Sequence, residues 1–242
     1  MNGLQIAAWG VLPYLVVTLF VLGSVWRYRH DRFGFTTRSS QMYESRLLAV
    51  GGPMFHYGLL FVIAGHAVGL LVPESLTEWM HVPEPLYRLN ALTVGGLAGA
   101  ATVAGLAVLL WRRLRVRAVR RATSRSDRLV YPILATVLLA GLWATLGEVE
   151  SPYDYRLGVS VWFRSLLILH PDVPDMAHAP LVFQVHAALA MALFALWPFS
   201  RLVHAFAAPV GYLVRPYVVY RRRGGAVPPV QPPAHTTARQ RP

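Results

Sequence analysis

Five long apolar runs divide the 242-residue chain, and short polar segments separate them. The runs cover residues 4–26, 47–72, 89–111, 129–147 and 179–203. Each is close to the ~20 residues that a helix needs to cross the hydrocarbon core of a bilayer. Since helices and closed barrels alone satisfy their backbone groups in lipid, the pattern predicts an all-α membrane protein. We expect a bundle of five transmembrane helices within residues 1–223.

Arginine is distributed very unevenly between the polar segments. Of the 23 basic residues, 20 lie in segments 27–46, 112–128 and 201–242, whereas 3 lie in the other two connections. Those two connections hold 8 of the 11 acidic residues. Positive charge marks the cytoplasmic side of a membrane protein, so the N-terminus is predicted outside and the C-terminus in the cytoplasm. The net charge of +12 is thus explained by topology in the cell membrane and does not indicate nucleic-acid binding.

Composition excludes several kinds of site. Charged residues make up 14% of the chain, below the roughly 25% of soluble domains. The chain has no cysteine, which excludes disulfides, iron–sulfur clusters and covalently attached haem within it. Residues 157–169 have apolar side chains at near-helical spacing and predict a short helix on the outer membrane surface. Residues 224–242 are rich in Gly and Pro, and predict a disordered cytoplasmic tail.

Four histidines lie in two of the apolar runs, where titratable side chains are costly and usually functional. His56 and His66 lie in the second run, and His186 and His204 in the fifth. Imidazole is an axial ligand of haem iron. Because the two helices run in opposite directions, matched depth pairs His66 with His186 near the outer face and His56 with His204 near the inner face. The separations differ, about 15 Å against about 27 Å at the helical rise, and a kink near Pro198 is expected to absorb the difference.

The other histidines are predicted to be solvated or interfacial; they are His30, His81, His170, His178 and His235. Glycines line the second run, and they suit either the approach of a flat macrocycle or close helix packing. Arginines at the inner ends of the helices, Arg112 and Arg113, are candidates to pair with haem propionates.

Four segments of the chain resemble a known family, the gamma subunit of respiratory nitrate reductase, a membrane cytochrome b. They read LPYLVVTLFVLGSVWRYRHDRFGF, TTRSSQMYESRLL, FHYGLLFVIAGHAVGLLVPE and VHAALAMALFALWPFSRLVHAFAAPVGYL. The resemblance extends to about residue 223. It implies that His56, His66, His186 and His204 are the axial ligands of two b haems, in the pairs that the depth argument gives.

The resemblance also implies a role. The subunit would oxidise quinol, either menaquinol or ubiquinol, near the outer face and pass the electrons inward through the two haems. An iron–sulfur beta subunit would accept them and deliver them to a molybdenum-containing alpha subunit that reduces nitrate in the cytoplasm. By analogy the quinol site lies beside the outer haem, with Gly65, His66, Tyr87 and Arg88 as its candidate residues.

Two other interpretations stay open at this point. A related cytochrome b subunit could serve a different soluble reductase, for example in sulfur metabolism, with a similar membrane sequence. A haem-free channel or transporter could also bury histidines. A visible difference spectrum would distinguish the channel from either cytochrome.

Overall fold

The structure is a computed structural model that describes residues 2–31, 34, 40–147 and 153–206. The predicted tail, 224–242, lies outside the described residues. Within the described ranges the chain is helical and has no strand. Five helices are long and apolar enough to cross a membrane. The prediction of an all-α membrane protein with five spans is therefore confirmed.

The five long helices follow one another along the chain. They are α1 (Gly3–His30), α2 (Arg46–Leu71), α3 (Glu84–Arg115), α4 (Arg125–Gly147) and α5 (Leu181–Leu196). Packing proceeds from α2 to α3, α4, α5 and then α1. Many large apolar side chains on these helices are exposed, as is expected where the surrounding solvent is lipid.

Two helices contain local departures from α-helical geometry. A π-helical turn, Ala7–Val11, precedes the first regular turns of α1, and Pro13 lies just after it. Proline has no backbone N–H to donate, and at this position the missing donor costs little because it falls in the first turn of the regular segment. A second π-helical turn, Ala91–Gly95, lies within α3.

Small residues bring α2 and α3 into close backbone contact. A Cβ added at Gly58 would lie 2.6 Å from Oγ1 of Thr102, and one added at Gly51 would lie 2.9 Å from the Val108 side chain. Gly105 of α3 meets the backbone at Phe55 in the same way. Small residues at such crossings let helices approach closely in lipid. Gly51 and Gly58 therefore serve helix packing.

Short helices occupy the connections. They are Glu74–Trp79, Arg117–Arg121, Val159–Leu167 and Val173–Ala177. The helix Val159–Leu167, here called the surface helix, was predicted within 157–169. It is anchored by Trp162, whose indole donates to the Trp9 carbonyl at 2.8 Å, and by Ser160, whose hydroxyl donates to the Gly69 carbonyl at 2.8 Å. These bonds tie the surface helix to α1 and α2.

The last span, 179–203 in the sequence, is interrupted near Pro198, where the sequence predicted a kink. The α-helix ends at Leu196, a 3₁₀ turn follows at Trp197–Phe199, Ser200 is extended, and a second 3₁₀ segment covers Arg201–Phe206. The physical cause is Pro198, which cannot donate to the helical ladder. His204 therefore lies beyond the α-helix, so the separation of 27 Å assumed for a straight helix does not apply.

Candidate functional site

The four membrane histidines form two close pairs. The rings of His66 on α2 and His186 on α5 have their centroids 6.0 Å apart, with 37° between the ring planes. The rings of His56 on α2 and His204 on the second 3₁₀ segment have centroids 6.1 Å apart, with 72° between their planes. The structure thus brings together the same partners that the depth argument paired.

A backbone carbonyl lies at hydrogen-bond distance from Nδ1 of each of the four rings. His56 and His66 bond the carbonyls of Gly52 and Val62 in their own helix, both at 2.8 Å. His186 bonds the Val137 carbonyl of α4 at 3.1 Å, and the Arg201 carbonyl lies 2.7 Å from Nδ1 of His204. Since a carbonyl only accepts, Nδ1 carries the proton and Nε2 keeps its lone pair for a metal.

This donor set fits a haem iron held between two imidazoles. Metal–imidazole bonds of about 2 Å on each side would put the two ring centroids on the order of 6 Å apart, close to the distances in both pairs. Among the described residues, no group of three or more His, Asp or Glu side chains could hold a metal ion. The histidines are arranged in twos, as an axial pair requires.

The surroundings of the His66/His186 pair include glycines in different roles. A Cβ at Gly65 would meet nothing within 4 Å, so the α2 surface beside His66 is open. Gly141 of α4 instead lies against the His186 ring, where an added Cβ would be 2.8 Å from Cε1. The absence of a side chain at Gly141 lets α4 pack against the His186 ring, and the Val137 carbonyl of the same helix bonds that ring.

Near the extramembrane end of α3, the structure shows a buried arginine that the sequence had suggested only as one of the few outer arginines. Arg156 is 2% exposed. Its guanidinium donates to Glu84 at 2.6 Å and to the Thr77 hydroxyl at 2.6 Å, and it lies 3.9 Å from the centroid of the Tyr87 ring. The Tyr87 hydroxyl is 3.3 Å from that of Tyr155. Tyr87 therefore lies in a polar cluster, between the guanidinium of Arg156 and the hydroxyl of Tyr155.

The residues suggested for quinol binding do not all share one environment. Tyr87 is half-buried in the cluster with Arg156, whereas Arg88, its neighbour on α3, is exposed. Tyr155 also lies against α2, since a Cβ at Gly69 would be 3.2 Å from its hydroxyl. Tyr155 thus contacts both α2 and α3. The sequence could not predict this role, because Gly69 and Tyr87 are far from Tyr155 along the chain.

The two arginines suggested for haem propionates are both engaged by protein groups. Arg112 is 2% exposed and donates to the Glu44 carboxylate at 2.6 Å and to the Ser40 hydroxyl at 2.8 Å. Desolvation raises the pKa of Glu44, but hydrogen bonds from the Leu47 backbone and Arg112 outweigh it, so the pKa lies below its ordinary value. Arg113 donates to the Thr123 hydroxyl at 2.9 Å. A propionate would have to share these donors.

The remaining histidines in the described ranges are exposed, but so are His56 and His66, and it is the pairing that sets the four apart; the remaining ones are His30, His81, His170 and His178. His30 stacks on Trp26 and, among the described residues, has no histidine partner of the kind seen in the two pairs. His235 lies outside the described residues.

Comparisons with known proteins identify the family of the chain. The family described as nitrate reductase gamma subunit matches residues 5–223. The nitrate reductase gamma chain of Bacillus subtilis is 42% identical over 216 residues, covering 89% of this chain and 97% of the relative. The respiratory nitrate reductase 2 gamma chain of Escherichia coli is 33% identical over 222 residues, covering 91% and 98%.

A third relative is longer. The nitrate reductase-like protein NarX of Mycobacterium tuberculosis is 50% identical over 218 residues, which is 89% of this chain but 33% of that protein. The chain therefore spans about a third of the length of that relative and nearly the whole length of the gamma chains. The family match covers every long helix and all four paired histidines, and this chain belongs to the nitrate reductase gamma subunit family.

Proposed function

We propose that this chain is the quinol-oxidising, electron-transferring membrane subunit of a respiratory nitrate reductase. In this proposal His66 and His186 hold one b haem, and His56 and His204 hold a second. The observation that carries it is the presence of two imidazole pairs, each with ring centroids about 6 Å apart and each ring bonded through Nδ1 to a carbonyl. The relatives are named as gamma chains of nitrate reductases, which supports the proposal that this chain is one subunit of such a complex.

The residues of this chain would orient and insulate the two cofactors. Helix α2 fixes the levels of His56 and His66, about 15 Å apart along its axis, and the carbonyl bonds fix which ring nitrogen meets the iron. Apolar side chains of α3, α4 and α5, among them Leu106, Leu134 and Leu193, exclude water from the bundle interior. A haem held by two imidazoles supplies one-electron redox chemistry when bound.

The quinol, menaquinol or ubiquinol, would bind beside the His66/His186 pair. Gly65 supports this position because its α2 surface is open where a flat ring could approach. Tyr87 and Arg88 on α3 are the other residues proposed for the site. Proton release on the outer side with electron movement inward would generate membrane potential.

The partners in this proposal are an iron–sulfur beta subunit and a molybdenum-containing alpha subunit. The chain contains no cysteine, so an iron–sulfur acceptor has to be on another chain. Nitrate reduction would take place on the alpha subunit, and this chain would anchor both to the membrane.

A spectrum of the purified full-length chain tests the function. We expect a reduced-minus-oxidised visible spectrum of b type that corresponds to two haems per chain. We also expect two low-spin ferric signals in electron paramagnetic resonance (EPR), because such signals depend on the angle between the axial imidazole planes, and the two pairs differ, 37° against 72°. A preparation that retains the fold and contains no haem would contradict the proposal and favour a haem-free channel or transporter.

Membrane orientation gives a separate prediction. The distribution of arginine, 20 residues against 3, predicts the N-terminus outside and the C-terminus in the cytoplasm. A reporter that is active only in the cytoplasm should be active when fused after residue 242, and one that is active only outside should be active when fused before residue 1. The reverse pattern would contradict the predicted depths of both histidine pairs.

Docking of the soluble partner is predicted on segments 27–46 and 112–128 and at the start of the C-terminal segment. Replacing Ser39, Ser40 and Gln41 together with alanine should weaken co-purification of the partner and leave haem content unchanged. Ser39 lies outside the described residues, and Ser40 is bonded to Arg112. Met42, which follows Gln41, is 99% exposed. It would supply an apolar contact of the kind that interfaces favour.

A second variant separates docking from folding in this loop. Gln41→Ala with Met42→Ala avoids Ser40 and should weaken association as the triple variant does. Ser40→Ala alone reports the effect of disturbing Arg112. If the partner co-purifies unchanged with the triple and the double variant, the loop is not part of the interface.

A further inference from the structure

His204 differs from the other three paired histidines in what holds it. His56, His66 and His186 lie on regular α-helices, α2 and α5. His204 lies on the short 3₁₀ segment Arg201–Phe206, after the break at Pro198. A short 3₁₀ segment has poorer hydrogen-bond geometry than an α-helix, so its position depends more on side-chain contacts with its neighbours.

Arg201, the first residue of that segment, contacts Asp127 of α4. The guanidinium of Arg201 donates from Nε to one oxygen of Asp127 at 3.1 Å and from an Nη to the other at 2.9 Å. The Arg201 backbone carbonyl lies 2.7 Å from Nδ1 of His204. One residue thus joins the Asp127 carboxylate on α4 to the imidazole of His204.

Asp127 is itself fixed in place. It is 1% exposed and lies in the first turn of α4, where its carboxylate accepts from the Ser124 backbone N–H at 3.0 Å while the Ser124 hydroxyl accepts from the Asp127 N–H at 3.1 Å. This reciprocal capping arrangement ties the carboxylate to the helix start. Arg113 of α3 lies 3.9 Å from the same carboxylate. Asp127 therefore offers Arg201 a rigid anchor.

The other side of the break is held by Arg27 of α1. Its guanidinium donates to the carbonyls of Pro198 and Ser200 at 2.7 and 2.8 Å. These two carbonyls lie in the irregular turn, and an unsatisfied carbonyl at the membrane boundary is costly. Arg27 holds the start of the irregular segment, while Asp127 holds its 3₁₀ continuation.

We propose that Asp127 and Arg201 are positioning residues for the haem that His56 and His204 hold, with the ion pair setting the orientation of the His204 imidazole. This inference rests on the proposed function, since it requires that His204 be an axial ligand. The buried carboxylate of Asp127 does not touch His204. It orients the His204 imidazole indirectly, because it fixes Arg201, whose backbone carbonyl bonds that imidazole.

The test uses the full-length chain in its complex and follows the EPR signal and the midpoint potential of each haem. The variants are Asp127→Asn and Arg201→Gln, with Arg201→Lys as a milder change that keeps the charge but loses the two-point geometry of a guanidinium. We expect each to shift the ferric signal and the potential of the His56/His204 haem and to leave the His66/His186 signal unchanged. Loss of the His56/His204 signal, with the His66/His186 signal retained, would also support the inference.

The direction of the potential shift separates positioning from a simple charge effect. Removing the negative charge of Asp127 would raise the potential of a nearby haem, and removing the positive charge of Arg201 would lower it. Positioning predicts that both variants move the EPR signal in the same way, and that the double variant does little more than either alone. Opposite potential shifts with unchanged EPR signals would overturn the inference.

Glu84→Gln is the matched control. It removes the carboxylate that pairs with the buried guanidinium of Arg156 at 2.6 Å, in another part of the bundle, and should leave the His56/His204 signal unchanged. If Asp127→Asn prevents assembly, Arg201→Lys carries the test, and an unaltered signal in Arg201→Lys overturns the inference. If the unmodified complex contains no haem, the proposed function fails together with the inference. If it contains two haems that the variants do not alter, the inference alone fails.

Discussion

Replacing His66 with alanine is expected to remove one b haem and to abolish quinol oxidation. Alanine provides no iron ligand, and the apolar surroundings offer no substitute, so the haem shared with His186 should be lost. We expect quinol-dependent nitrate reduction to fall by at least about 100-fold, which is the upper end of the loss seen when only a partner of a metal ligand is removed. His186→Ala should give the same result, because both rings belong to one pair, 6.0 Å apart.

The measurement combines a difference spectrum, an EPR spectrum and quinol-dependent nitrate reduction in membranes. His170→Ala is the matched control, since His170 is an exposed histidine outside both pairs. It should retain both haem signals and full activity. Retention of both haems in His66→Ala would contradict the ligand assignment and with it the proposed role of the His66/His186 pair.

Replacing His204 with alanine is expected to separate quinol oxidation from nitrate reduction. The haem held by His56 and His204 should be lost, while the other haem stays bound and is still reduced by quinol. Electrons should then fail to reach the iron–sulfur partner, and quinol-dependent nitrate reduction should fall to background. A reduced viologen, which donates directly to the soluble subunits, should restore nitrate reduction in this variant and in His66→Ala.

His56→Ala should match His204→Ala in every readout, because their rings are 6.1 Å apart. The decisive comparison is between the two pairs. If His66→Ala and His204→Ala removed the same spectral component, the pairing would be wrong, and so would the family-based assignment of the ligands.

The number and class of the helices could be predicted from the sequence because the signal is physical and local. Apolar runs of about 20 residues have few structural alternatives in a membrane. The pairing of His66 with His186 followed from the opposite directions of two helices, which any five-span topology imposes. These inferences required no knowledge of side-chain contacts.

The last span departs from a straight helix for a reason that lies in one residue. At the helical rise, His186 and His204 would lie about 27 Å apart, but Pro198 ends the helix before His204 is reached. The sequence suggested a kink at this proline. It could not show that the turn needs Arg27 from α1 to satisfy its carbonyls, because that contact joins residues 171 positions apart.

Buried charge was the other feature that sequence patterns could not locate. Arg156 and Asp127 resemble ordinary loop residues in the sequence, yet they are 2% and 1% exposed. An arginine in a polar loop is more often an orientation charge than a buried anchor, and nothing in its immediate neighbours distinguishes the two. Its role depends on partners such as Glu84 and Thr77, which tertiary structure alone brings to it.

The break after Leu196 makes the two histidine pairs respond differently to changes in chain length. One residue inserted between His56 and His66 would rotate one imidazole by about 100° relative to the other around α2, and at least one pair would be lost. One residue inserted in the turn Trp197–Phe199 would leave α5 and His186 in register and displace His204 alone. Changes in the length of this turn would therefore move His204 alone, whereas changes in the length of α2 between its two histidines would disturb both pairs.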